Sequence, residues 1–410
     1  MTVEPRALGA AWAVAPNPQW QIRRLKDIAT VINGYPFDAQ LFDVAGAYPL
    51  VRIRDLYSET TETKYAGEWV EAAAIDNGDV LIGMDGDFNV GVWKGGAALL
   101  NQRMCCVRAS SPLMTRFLSY VLPAPLNIVN GLTYSTTVKH LSSIDVERIT
   151  LPVPPAYTLE SVVNFLDEQT ARIDALIGEK ERLIGLLMEY RQAWLSWLLE
   201  SPRGSIKTRL KFCLAASLQY GATESGDVDA VGPRYIRITD IAEDGSLSDD
   251  SVKFLTEEQA STYLLDDGDV LFARSGATVG KSFVYRSCMG RAAFAGYLIR
   301  ARLDQRRLLP EYLALLTETH QYWAYLREEE TQSTIQNASA EKYANFSIAL
   351  PSITEQSAYL AQIRPTLDNI TRLVFHTMSH VTILREYRAS LISGAVTGQL
   401  DMDNYGKGGW

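Results

Sequence analysis

The chain repeats itself, and this constrains its fold more than any other feature. Arg24-Leu25-Lys26 returns as Arg209-Leu210-Lys211, and Val51-Arg52-Ile53-Arg54-Asp55 returns as Ile236-Arg237-Ile238-Thr239-Asp240, both displaced by 185 positions (209−24 and 236−51). Ile75-Asp76-Asn77-Gly78-Asp79-Val80-Leu81-Ile82 answers to Leu265-Asp266-Asp267-Gly268-Asp269-Val270-Leu271-Phe272 at 190 (265−75). In both copies an Asn-Gly or Asp-Gly pair supplies the positive φ of a turn, and the apolar run after it supplies a strand. Ser135-Thr136-Thr137-Val138 corresponds to Gln332-Ser333-Thr334-Ile335, and Ile149-Thr150-Leu151-Pro152 to Ile348-Ala349-Leu350-Pro351; the displacement has grown to 197 and then 199, as insertions in surface loops produce. Two tandem halves are expected.

Each half closes on a long helical pattern. In the first, Leu166, Ile173, Leu187 and Trp194 occupy heptad position a, and Leu176, Leu183, Tyr190 and Trp197 position d, with Ile177, Ile184 and Leu198 beside them; Lys180 interrupts the row. In the second, Leu360, Leu367, Val374 and Val381 recur every seven residues, accompanied by Ile363, Ile370, Leu384 and Leu391, and Pro365 should kink the helix or mark a fresh start. One such stripe fits an ordinary core helix, whereas two closing two similar halves favour mutual packing. The first helix leaves the first domain and the second leaves the second, so packed together they run antiparallel about an approximate two-fold axis. At about 1.5 Å per residue over ~38 residues the rod is roughly 55–60 Å long. The expected class is α+β: mixed-sheet domains over residues 1–150 and 205–350, a first helix and linker over 151–204, and a second helix and tail over 351–410.

Composition narrows the function classes. At 410 residues and 47% hydrophobic, the chain suits more than one folded core, and its apolar runs are too short to span a bilayer. Arg6 and the Leu8–Ala15 stretch faintly resemble an export leader, but Glu4 and Pro5 spoil its basic start. Cys105, Cys106, Cys213 and Cys288 match neither a disulfide framework nor a metal-ligand set, and a reducing cytoplasm fits best. The formal charge of −9 argues against generic coating of nucleic acid, so any DNA binding relies on local patches.

Catalytic motifs fail on spacing or context. Ser275-Gly276-Ala277-Thr278-Val279-Gly280-Lys281-Ser282 approaches a phosphate-binding loop, but three residues rather than four separate its glycines, and Phe283-Val284-Tyr285 reads as a strand where a helix is required. Asn17-Pro18-Gln19-Trp20 is one residue from the Asn-Pro-Pro-Tyr type of loop that holds the target amine in adenine methyltransferases; with no glycine-rich cofactor loop near it, a turn is expected. His376 and His380 have helical spacing suited to zinc, yet lack a third ligand. His140 and His320 have no identifiable nucleophile to serve. No catalytic or metal-binding residue is assigned.

The C-terminal run Glu386-Tyr387-Arg388-Ala389-Ser390-Leu391-Ile392-Ser393-Gly394-Ala395-Val396-Thr397-Gly398-Gln399-Leu400-Asp401 resembles the closing segment of the specificity subunits of type I restriction-modification systems (the HsdS family). Gly268-Asp269-Val270-Leu271-Phe272-Ala273-Arg274-Ser275-Gly276 and Thr136-Thr137-Val138-Lys139-His140-Leu141 resemble its recognition-domain signatures, and Leu151-Pro152-Val153-Pro154-Pro155 its entry into the first helix. Two departures stand out. The first half carries Gly83-Met84-Asp85-Gly86 opposite Ala273-Arg274-Ser275-Gly276, so a role for Arg274 does not carry over; and the Glu-Gln found at Glu355-Gln356 is missing at Tyr157-Thr158.

The resemblance implies two target-recognition domains, each reading half of a split site in double-stranded DNA, on helices that set the spacing and dock two methyltransferase subunits. Restriction-motor subunits join that core. S-adenosylmethionine would sit on the methyltransferases, ATP and Mg on the motor-nuclease subunits, and no cofactor on this chain. A stand-alone tandem DNA-binding regulator is the alternative. Readout of base edges needs donors and acceptors on loops, which selects Lys139, His140, Arg274, Ser275, Gln336 and Asn337; Arg300, Arg302, Arg306 and Arg307 form the clearest basic patch and suit phosphate. Tyr190, Trp194, Trp197, Tyr387 and Arg388 are the candidates for holding partner subunits. Residues 1–150 carry 13−15 = −2 and residues 205–350 carry 16−20 = −4 formal charges, so partners are expected to supply much of the phosphate grip.

Overall fold

The computed structural model describes residues 17–132, 139–200, 202, 204–242, 245–327 and 337–401. The leader-like stretch before Asn17, the Ser135–Val138 and Gln332–Ile335 repeats, and the candidate Gln336 lie outside them. The chain divides into two compact units that interleave along the sequence: residues 1–179 with 380–410, and residues 180–379. Both boundaries fall inside long helices, Ala156–Leu199 and Ile353–Val396, each 44 residues and about 66 Å at ~1.5 Å per residue. Each unit therefore takes in part of both helices. The second helix runs through Pro365 without ending there.

The two units share one topology. In the first, Ala29–Asn33, Met104–Ala109, Val80–Gly83 and Val90–Val92 lie in that order as an antiparallel sheet. In the second, Gln219–Tyr220, Leu298–Ala301, Val270–Ala273 and Ser282–Val284 repeat it. A parallel pair accompanies each sheet: Tyr48–Val51 with Ala98–Leu100, and Arg234–Ile236 with Ala292–Phe294. Entry and exit strands close each unit, Gln21–Arg24 on Thr150–Val153 and Ile206–Arg209 on Ser347–Leu350. The chain thus leaves each unit beside the point where it entered, and the exit strand feeds a long helix. In the first unit, three further short strands extend the parallel pair to five.

The repeated motifs perform the same local work twice. Arg52 and Arg237 each precede a 3-10 turn closed by a buried aspartate, whose carboxylate accepts the backbone N–H of the arginine: Asp55 from Arg52 at 3.0 Å and Asp240 from Arg237 at 2.8 Å. Gly78 and Gly268 take the positive φ of the expected turn (+88° and +84°), and the aspartate after each, Asp79 or Asp269, accepts the N–H of Asp76 or Asp266 at 2.8 Å. The strands that follow, Val80-Leu81-Ile82 and Val270-Leu271-Phe272, are buried on both faces.

Within the first unit, Leu159, Val162, Leu166 and Ile173 from the start of the first long helix share a core with Leu391, Ala395 and Val396 from the end of the second. Asp174 and Arg388 fix the pair at 2.8 and 3.1 Å. Within the second unit, Leu195 and Leu199 from the end of the first helix share a core with Ile363 from the start of the second, and Arg191 bonds Thr371 at 3.3 Å. Start meets end in both units, as antiparallel helices require. Ser352 and Glu355 begin the second helix with a reciprocal box: the Ser352 hydroxyl accepts the Glu355 N–H at 3.3 Å and the Glu355 carboxylate accepts the Ser352 N–H at 2.9 Å. The bonds from Ser352 hold that carboxyl below the usual range. Gln356, fully buried, accepts from Leu309 N and donates to the carbonyls of Arg307 and Pro351. Where the first half has Tyr157-Thr158, the Thr158 hydroxyl donates to Pro155 O. Asn17 and Trp20 form the expected turn, Trp20 N to Asn17 O at 2.8 Å.

Candidate nucleic-acid interface

In each unit the hairpin at one edge of the four-stranded sheet ends in a loop, and a segment distant in sequence straps that loop from the side. The hairpin of the first unit pairs Leu81 with Gly91, and its loop begins at Met84. The strap is Lys139-His140-Leu141: Leu141 N donates to Met84 O at 2.8 Å, Gly86 N donates to Lys139 O at 3.1 Å, and Asp85 bridges His140. Phe88, also in this loop, has φ +51° with its ring buried. Such backbone strain in a non-glycine residue persists only where packing enforces it. The loop is held in one shape by that anchor.

The second unit repeats the construction. Leu271 pairs with Phe283, the loop begins at Arg274, Ala338 N donates to Arg274 O at 2.8 Å, and Ser275 bridges Asn337. Gly86 and Gly276 take equivalent positive φ, +79° and +76°. Buried tyrosines pin the loop base, Tyr343 Oη to Ala273 O at 2.6 Å and Tyr322 Oη to Gly280 O at 2.7 Å. Burial pushes both phenols up, so they remain donors. The phosphate-loop lookalike is this hairpin loop, followed by the strand Ser282–Val284.

The two loops differ in chemistry. In the first, Asp85 accepts Arg103 Nη1 and faces His140 Nδ1, each at 2.8 Å, and Arg103 and His140 are more than half exposed. Lys139, in contrast, spends its ammonium on Asn130 O at 2.7 Å. In the second, the Arg274 guanidinium lies 4.7 Å from the centre of the Tyr220 ring and its Nε points to Asn337 Oδ1 at 3.4 Å. The Tyr220 hydroxyl is itself fixed by Ala340 N at 3.0 Å. Arg103 lies in the turn just before the strand Met104–Ala109 and Tyr220 on the strand Gln219–Tyr220, both outside the loop-and-strap segments that residue type singles out.

The four arginines from 300 to 307 do not form one exposed basic patch, a correction to the expectation from their spacing. Arg300 is 8% exposed; it donates to Leu264 O at 2.8 Å and to Gln219, lies over the Phe294 ring, and burial lowers its pKa. Arg302 clasps Asp269 and reaches Asp266 at 2.7 Å. Arg307 donates to Phe212 O at 2.5 Å. Arg306 projects, with its charge beside Asp304 at 3.0 Å. Arg302 has a first-unit counterpart in Arg108, which clasps Asp79. This pair, offset by 194 (302−108), was hidden because the residues flanking it differ.

Along the helices, Tyr190 and Trp197 are exposed, Trp197 by 79%, whereas Trp194 packs against the second unit's core. Tyr387 is 44% exposed and Arg388 is bonded to Asp174. No group of three or more His, Cys, Asp or Glu side chains suited to a metal occurs among the described residues, and no described helix is long and apolar enough to cross a membrane.

Residues 17–184 match the family model described as the type I restriction modification DNA specificity domain. The specificity subunit of the type I restriction enzyme EcoBI of Escherichia coli is 25% identical over 94% of this chain and 87% of its own length; that of EcoKI from Escherichia coli strain K12 is 22% identical over 93% and 89%. A chain in a solved structure of complex assembly and conformational transition of the type I R-M system shares the fold, with a TM-score of 0.67 and 16% identity over 94% of this chain and 99% of that one. The same strapped hairpin is thus built twice in a chain whose residues 17–184 match the type I restriction modification DNA specificity domain, and which is similar to type I restriction enzyme specificity subunits over 93–94% of its length.

Proposed function

We propose that each unit reads one half of a bipartite DNA site with its strapped hairpin, and that the two long helices set the distance between half-sites and carry two methyltransferase subunits. The duplicated loop-and-strap carries this reading. Asp85 and His140 of the first unit correspond to Ser275 and Asn337 of the second, where Arg274 stands beside them, and each set combines donors and acceptors of the kinds that base edges and phosphates accept. The domains in this reading are residues 1–150 and 205–350. The chain supplies recognition alone: S-adenosylmethionine belongs to the methyltransferase subunits, ATP and Mg to restriction-motor subunits. Its acidic charge supports a shared grip, since sequence-independent binding scales with phosphates neutralised. The exposed faces of Tyr190 and Trp197 suit partner docking. Comparing duplexes with one or both half-sites scrambled, in complex with the methyltransferase, tests the reading; each scrambled half should weaken binding separately.

A further inference from the structure

The ladders of the two units differ by a swap at one rung. In both, the first residue of the hairpin loop receives its backbone partner from the residue just before the neighbouring strand: Met84 N donates to Arg103 O and Arg274 N donates to Tyr297 O, each at 3.0 Å. The first unit thus has an apolar side chain on the hairpin and a guanidinium on the neighbour. The second has the guanidinium on the hairpin and an aromatic on the neighbour. Met84 is 6% exposed and contributes to the core, whereas Arg103 is 60% exposed at its side chain. An arginine therefore stands at the same rung of the same sheet in both units, delivered from opposite sides of that rung.

Both arginines are held in the same manner, by one bond that leaves most of the fork open. Arg103 donates through Nη1 to Asp85, and Asp85 is steadied on its other oxygen by His140. Arg274 is held through Nε by Asn337 and by the face of Tyr220. Asp85 and Ser275 are equivalent, as are His140 and Asn337, since Asp85 bridges His140 where Ser275 bridges Asn337. A guanidinium held at one edge presents its remaining N–H groups as a planar pair, the geometry that matches two adjacent acceptors.

We infer that Arg103 is the first unit's DNA-contacting guanidinium, taking the part that Arg274 takes in the second, and that Asp85 is its positioning residue, with Tyr220 and Asn337 positioning Arg274. The ligand is a pair of adjacent acceptors on duplex DNA, either O6 and N7 of guanine or two phosphate oxygens. The inference rests on the proposal that each unit reads one half-site.

The test uses the full chain with its methyltransferase, and reads both the genome-wide methylation motif and binding to the cognate duplex over a salt series. If the acceptors are guanine's, Arg103→Gln admits other bases at one position of a single half-site, with discrimination there falling about tenfold or more. If they are phosphate oxygens, the motif is kept, binding weakens for every sequence, and the salt slope drops by roughly one. Arg274→Gln produces the same class of change in the other half-site. Asp85→Asn shifts the same readout in the same direction as Arg103→Gln with unfolding temperature unchanged, which a purely structural role would not do; Arg103→Lys restores a phosphate contact fully and a guanine contact only in part, since the ammonium lacks the planar fork. An Arg103→Gln complex with unchanged motif, affinity and salt slope overturns the inference. If Arg103→Gln and Arg274→Gln instead alter the same half-site, the two-reader proposal has failed rather than the assignment of Arg103.

Discussion

Arg302 grips Asp269 through two parallel bonds, Nε to Oδ1 at 2.9 Å and Nη2 to Oδ2 at 2.7 Å. Asp269 is 2% exposed and also accepts Asp266 N, so one carboxylate ties the turn, the strand after it and the neighbouring strand. Removing the arginine leaves that charge buried with only part of its compensation. Arg302→Ala should therefore cost about 3 kcal/mol in chemical unfolding, and Arg302→Lys less, since a single ammonium keeps the charge but not the fork. Arg108→Ala should act alike through Asp79. A loss below ~1 kcal/mol for both would contradict the clasp.

The cysteines predict a pattern of reactivity and of pH dependence. Burial pushes the Cys105 thiol up to about 12, while Cys288 is exposed. Iodoacetamide at mild alkaline pH should label Cys288 in the native protein and Cys105 only after unfolding, read by peptide mass. Because the folded protein keeps the Cys105 proton that the unfolded chain releases above about pH 9, stability is full below that pH and declines toward pH 12. Cys105→Ala should flatten this decline; an unchanged alkaline slope would exclude Cys105 as a contributor.

Tyr190 and Trp197 are exposed on the first long helix, and aromatic anchors dominate interface energies. Trp197→Ala should leave the unfolding temperature unchanged and weaken methyltransferase binding by about 2 kcal/mol or more. Native mass spectrometry of the wild-type complex should show two methyltransferases per chain, and a stable complex with one would count against two docking surfaces.

If the helices act as a ruler, one added turn in each should lengthen the spacer. Four residues inserted after Gly178 and four after Ser379, beside the unit boundaries, add about 6 Å, equivalent to one or two base pairs at about 3.4 Å each. Mapping modified adenines across a genome gives the spacer directly; an unchanged spacer with activity retained would show that the helices do not set it.

The repeat made the doubled fold legible, because each copied motif is a local device: Gly78 and Gly268 in their turns, Asp55 and Asp240 capping their arginines. The 44-residue helices were legible for the same reason, since heptad stripes are local. Interleaving of the units was not, because the share of each helix taken by each core depends on contacts between residues hundreds of positions apart, such as Asp174 with Arg388. At the site, His140, Arg274, Ser275 and Asn337 stood out by type and repeated position. Arg300 and Arg302 misled, as four clustered arginines signal a cationic surface only if no buried acceptor meets them, and Asp269 and Leu264 O do. Arg103 gave no local signal at all.

Exchanging residues 205–350 for those of a relative with a different target tests the central claim most directly. The hybrid is expressed with its methyltransferase and the modified adenines are mapped by long-read sequencing. Two independent readers predict that one half-site takes the donor's sequence while the other half-site is preserved. A motif changed in both halves, or in neither with methylation retained, would contradict the account.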